Sequence, residues 1–226
     1  MGYRQTKQEI SGLLLAEDFE RSLDKICALG LKKAVSPLIS FLNSRNELQR
    51  WRAVSGLGVV AARLADQDLE AARVVMRRLM WSLNDESGGI GWGAPQAMGD
   101  ICARQERLAG EYSKILVSYL NSAGNYLEHP VLQRGLLWGL ARLAHVRPES
   151  VREAGLYSKP FVYSKDPVHR GLAAWFLAGL QDPAAESCLS LLKQDNSRIT
   201  LYWGYSLREP TVSQLTEKIP NSEGPC

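Results

Sequence analysis

Apolar residues recur along this chain at helical spacing for nearly its whole length. Val35, Leu38, Ile39 and Leu42 fall at i, i+3, i+4 and i+7, one face of a helix. The period returns in Ala53, Leu57, Val60, Ala61 and Leu64, then in Leu69, Ala72, Met76, Leu79, Met80 and Leu83, and again in Tyr112, Ile115, Leu116, Tyr119 and Leu120. Turn signals separate these runs, and together they predict helices over 6–15, from Asp18 to Gly30, and over 34–43, 48–64, 69–83, 94–107, 131–145, 167–180 and 197–207. Pro148 and Pro160 limit helix length between 148 and 164, and 211–219 reads as a last turn or two. No segment shows sustained strand alternation, so the pattern predicts an all-α chain.

The helices also repeat as units. The triplets ALG, GLG, AMG, GLA, FLA and GYS, ending at residues 30, 58, 99, 141, 178 and 206, superpose on one another at intervals of 28 to 42 residues. A lone helical hairpin cannot bury both of its faces, so units of this length must stack to make a continuous core. Small residues at Gly56, Ala97, Gly139 and Gly204 would let neighbouring helices approach closely.

Gln49-Arg50-x-x-Ala53-x-x-Gly56-Leu57-Gly58 and Arg170-x-x-Ala173-x-x-Phe176-Leu177-Ala178 carry the second-helix pattern of HEAT repeats, and AVSPLISFLN at 34–43 looks like a first helix. Over residues 18–207 the chain resembles the HEAT family, including the HEAT-like repeats of the phycobilin lyase type and bacterial HEAT-repeat proteins. Gly91 and Gln133 depart from the arginine position, whereas Arg198 matches it. The resemblance implies a short right-handed α-α superhelix, a HEAT/armadillo-like solenoid of about five to six hairpins whose second helices line a concave face. Residues 1–219 are expected to form one such domain, with 220–226 as a disordered tail. The arginines of the pattern are expected to pair with turn carboxylates, Arg170 with Asp166 and Arg198 with Asp195.

Five of the six tryptophans then share a face. Trp51 and Trp92 lie seven residues before the aligned ends, and Trp138, Trp175 and Trp203 lie three before, so the two columns are one helical turn apart. That face points away from the hairpin core, which predicts a partly exposed indole stripe along the groove. Indoles wedged between neighbouring repeats are the structural alternative.

One stretch breaks the repetition, MWSLNDESGGIGWGAPQAMG at 80–99. Gly88, Gly89, Gly91 and Gly93 precede a helix, a setting that favours anions, but Asp85 and Glu86 would repel a phosphate and no Walker lysine follows. Trp81, Asp85, Glu86 and Trp92 read together as a recognition site, and with Trp51, Gln96, Arg134, Trp138, Trp175 and Trp203 they make up the expected binding surface.

Composition narrows the choice of function. Twenty-seven basic against 24 acidic residues leave a net charge of +3, weaker than the excess of dedicated nucleic-acid binders. No apolar run reaches the length of a membrane span or a secretory signal, and the four cysteines and three histidines share no ligand spacing. The expectation is a cytoplasmic, non-enzymatic module that binds a protein or peptide, with reduced thiols, no metal, no cofactor and no catalytic residue. The second reading is an enzyme. The pair Trp81 and Asp85, four apart, resembles the aromatic residues and carboxylate that HEAT-like DNA glycosylases use around a modified nucleotide, and the repeats alone resemble bilin lyases.

Overall fold

The computed structural model describes residues 2–83 and 91–217. It is an all-α solenoid with one departure at its C-terminal end. The first unit pairs α1 (Tyr3–Leu15) with α2 (Phe19–Ala28), whose Asp18 cap accepts from the Arg21 amide at 3.0 Å. Gly30, at φ 103, then reverses the chain into α3 (Leu31–Phe41). Asn46 caps α4 (Glu47–Gln67) by accepting from the Gln49 amide at 3.0 Å. The next pairs are α5 (Leu69–Leu83) with α6 (Ala94–Arg104), and α7 (Glu106–Ser118) with α8 (Pro130–Ala144). Around Pro160 the outer layer shrinks to the single turns α9 (Ala154–Tyr157) and α10 (Lys159–Val162). Asp166 and Pro167 then start the next long helix, α11 (Pro167–Leu180), and α12 (Glu186–Leu192) follows.

The helices α4, α6, α8 and α11 stack in succession as the inner layer. Glycine sets their spacing at one crossing: a Cβ on Gly99 would lie 2.3 Å from the Gly139 Cα, so only bare backbone fits there. Buried apolar residues run as one cluster from Ile10 to Leu215. Among the described residues, no helix is long and apolar enough to cross a membrane.

The helix expected over 197–207 does not form. In its place β1 (Leu201–Trp203) pairs antiparallel with β2 (Ser206–Arg208) through a two-residue turn. Both turn residues have positive φ, Gly204 at 58 and Tyr205 at 60, the signature of the hairpin turn whose twist matches its strands. Ile199, Thr200, Tyr202 and Trp203 are β-branched or aromatic and suit an extended chain better than a helix. Gly204 therefore serves the turn rather than a helix crossing. The tail at 220–226 lies outside the described residues.

Candidate functional site

The hairpin lies across the inner face, in the place expected to be an open groove. Its course runs from α11 back to α2. Ile199 packs on Gly171 of α11, where a Cβ would meet its Cδ1 at 2.5 Å. The Trp138 indole on α8 donates to the Tyr202 carbonyl at 3.0 Å, and the Tyr202 hydroxyl bonds Ser55 on α4 at 3.0 Å. Trp51 stacks on the Tyr202 ring with centroids 5.3 Å apart. Beyond the turn, Arg52 donates to the Tyr205 carbonyl at 3.3 Å, and the Tyr205 ring meets Phe19 edge-on.

Beside β1 the groove stays open as a cavity of about 490 Å³, within the range of ligand sites. The N-terminal halves of the four inner helices converge on it. Glu47, Arg50 and Trp51 come from α4, Gln96 from α6 with Trp92 just before it, Arg134 and Trp138 from α8, and Val168 and Leu172 from α11. Thr200, Leu201 and Tyr202 close the remaining side. Helix N-termini carry positive partial charge, and Gly93 supplies no side-chain cap at the start of α6. Arg134 keeps its Nε on Asp166 at 2.8 Å, and Arg50 donates Nη1 to the Ser44 carbonyl at 3.0 Å. Each guanidinium group already has a carboxylate partner, Arg50 with Glu47 at 3.6 Å and Arg134 with Asp166.

Gln96 is the unusual member. It is nine-tenths buried, yet its Oε1 has no hydrogen-bond partner. Its amide lies flat over Gly135, where a Cβ would come within 2.4 Å of Oε1. An unmet buried acceptor costs about 1–3 kcal/mol, so something in the ordinary life of the molecule should satisfy it.

Of the residues expected at the site, Trp51, Trp92, Gln96, Arg134 and Trp138 are brought together around this cavity. The expected exposure of the stripe is corrected for two indoles: Trp138 is 1% exposed and Trp175 3%. Tyr202 covers the first, and the second is packed between Trp138 and His145. Trp203 is half-buried under the Arg208 guanidinium and does not line the cavity. Trp81 is exposed at the end of α5, also away from it. Asp85 and Glu86 fall outside the described residues, so the glycosylase-like pair of Trp81 and Asp85 cannot be placed. Gly91 and Gly93 serve geometry, the second because a Cβ would press on Leu42 at 2.9 Å.

The sequence reading missed Glu47, Arg50 and the wall formed by Thr200–Tyr202. The run of β-branched and aromatic residues Ile199, Thr200, Tyr202 and Trp203 just before Gly204 is the signal that could have revealed that wall. The arginine pairing also differs by one repeat. Arg170 pairs with Asp195 at 2.6 Å, Arg134 takes Asp166, and Arg198 donates to the Glu209 carbonyl. Partial burial pushes the Asp195 carboxyl up, but its hydrogen bonds from Arg170 and Ser197 outweigh this and hold it down at about 2. Reactive groups elsewhere are muted. Burial raises the Cys102 thiol and lowers His169, and no cluster of three metal-binding side chains occurs among the described residues.

No protein-family model matches the chain, and neither does any curated protein. Solved structures do. An engineered protein from the Northeast Structural Genomics Consortium matches with a TM-score of 0.55 at 15% identity, over 84% of each chain. A designed armadillo repeat protein in complex with the peptide (KR)4 gives 0.48 at 19% identity, over 84% of this chain and 92% of its own. The armadillo repeats only protein from Plasmodium falciparum gives 0.46 at 16%, over 80% of each. At 15% identity the first of these likenesses bears on the fold alone.

Proposed function

We propose that the chain is a non-enzymatic, protein-binding module of the HEAT-like kind, and that its site is the walled cavity rather than the whole concave face. The observation that carries this reading is the cavity itself, walled by Trp51, Trp92 and the edge of Trp138, with Arg50 and Arg134 at its rim. Aromatic side chains and arginines are the residues on which interfaces concentrate their binding energy. The hairpin supports the same reading, because the Trp138 indole on the solenoid already holds an extended strand by its Tyr202 carbonyl.

Affinity capture from native lysate, comparing the wild-type chain with Trp92→Ala and Arg134→Ala, tests the proposal. Each variant is expected to lose the same partner protein, with a loss of about 2 kcal/mol or more at a hot spot. Identical captured sets from wild type and both variants would refute it.

A further inference from the structure

The hydrogen-bond register of the hairpin leaves one strand edge open inside the cavity. The Arg198–Thr211 bridge lies in the same register as the Leu201–Arg208 pair. Around that bridge, the Ile199 amide donates to the Pro210 carbonyl at 3.1 Å, and the Val212 amide to the Ser197 carbonyl at 3.0 Å. In an antiparallel ladder alternate residues face the partner strand, so Ile199 and Leu201 face β2 while Thr200 turns its N–H and C=O the other way. Thr200 is exposed and lines the cavity, and no described backbone group bonds it. An open strand edge is a template for one more strand.

Resting on the protein-binding reading above, we infer that the cavity takes an extended segment of a partner protein, which pairs with Thr200 along the open edge of β1. The segment places a tyrosine or tryptophan among Trp51, Trp92 and Trp138, and an acidic residue next to it. Each part answers a feature of the site. The indole walls suit a flat ring. In an extended chain neighbouring side chains point to opposite faces, so the residue beside the buried ring returns to the rim. Arg50 and Arg134 lie there, each part-exposed and already paired with Glu47 and Asp166, with further N–H groups for a second carboxylate.

The test uses the full chain against a displayed library of random decapeptides, followed by anisotropy with synthetic winners. Expected winners carry Tyr or Trp beside Asp or Glu at an internal position. N-methylation along such a peptide should weaken binding tenfold or more at the residue facing Thr200 and much less at its immediate neighbours. Arg134→Glu should reverse the preference for an acidic neighbour. Winners that need a free C-terminus, bind as helices, or tolerate N-methylation at every position would overturn the inference. So would an anionic small molecule occupying the cavity by native mass spectrometry. If no peptide is enriched while Trp92→Ala still loses its captured partner, the strand-addition inference falls and the protein-binding reading stands. If that capture also fails to respond, both fall.

Discussion

Gln96 and Asp100 sit one turn apart on α6, both buried, and they have opposite fates. Asp100 is fully enclosed and accepts from Arg104 Nε at 2.8 Å and Arg142 Nε at 3.1 Å. Gly58 makes room for this triad, since a Cβ there would lie 2.0 Å from the Asp100 carboxylate. Gln96, facing the cavity, has an acceptor that nothing in the described chain meets. A solenoid that supplies two guanidinium groups to one buried acceptor does not leave its neighbour unmatched for lack of donors. The contrast separates a polar group that holds the repeats together from one that, on the reading proposed above, belongs to the binding site.

The structural half of that contrast gives the largest expected effect. Asp100→Ala leaves two buried guanidinium groups without their shared carboxylate and should cost about 3–5 kcal/mol in urea unfolding. Replacing Asp100 and both arginines with apolar residues of similar volume should recover much of that loss. A cost below about 1 kcal/mol for Asp100→Ala would mean that the triad contributes little to stability.

The two tryptophan columns sharpen the same distinction. Trp138→Ala removes an indole buried beneath Tyr202 and should destabilise by about 3–5 kcal/mol. Trp92 is half-buried at the cavity edge, against His129, and its alanine variant should cost about 1 kcal/mol or less. Thermal melts check both, and equal losses would erase the difference between covered and open groove.

Much of this was legible in the sequence, and the gaps have physical causes. Asp166 followed by Pro167 fixes the start of α11, because a capping carboxylate and a preset φ act locally. The helical period fits Trp51 on α4 and Trp138 on α8, which both line the cavity, whereas Trp92 lies in the turn before α6, where no helical period applies. Periodicity says which face a residue occupies but not what later covers it, and the covering strand is three residues long, too short to show a period. GYS at 204–206 matched the repeat triplets by composition, yet its glycine serves a turn with positive φ. The arginine partners were displaced by one repeat because a guanidinium on an inner helix reaches sideways to the next turn. Gln96 carries no sequence signal of its unmet acceptor, which arises only when Gly135 and Trp92 are assembled around it.

Acid should probe the rim more gently. Arg170 and Ser197 hold the Asp195 carboxyl near 2, below its ordinary value of 3.8. A depressed carboxyl stabilises the fold fully above its unfolded value, and that contribution is lost as pH falls through 3.8 toward 2. Unfolding measured across this window should show a smaller acid loss in Asp195→Asn than in wild type. Parallel curves would remove the Arg170–Asp195 link from the account.

The most direct test of the central claim is urea unfolding of Gln96→Met, a change that keeps the length of the side chain and deletes the unmet acceptor. If Gln96 is kept for a ligand, the variant should be as stable as wild type, or more stable by about 1 kcal/mol, since a buried unsatisfied group has been removed. A loss of about 2 kcal/mol or more would show that Gln96 holds the repeats together as Asp100 does, and would contradict the assignment of the cavity as a binding site.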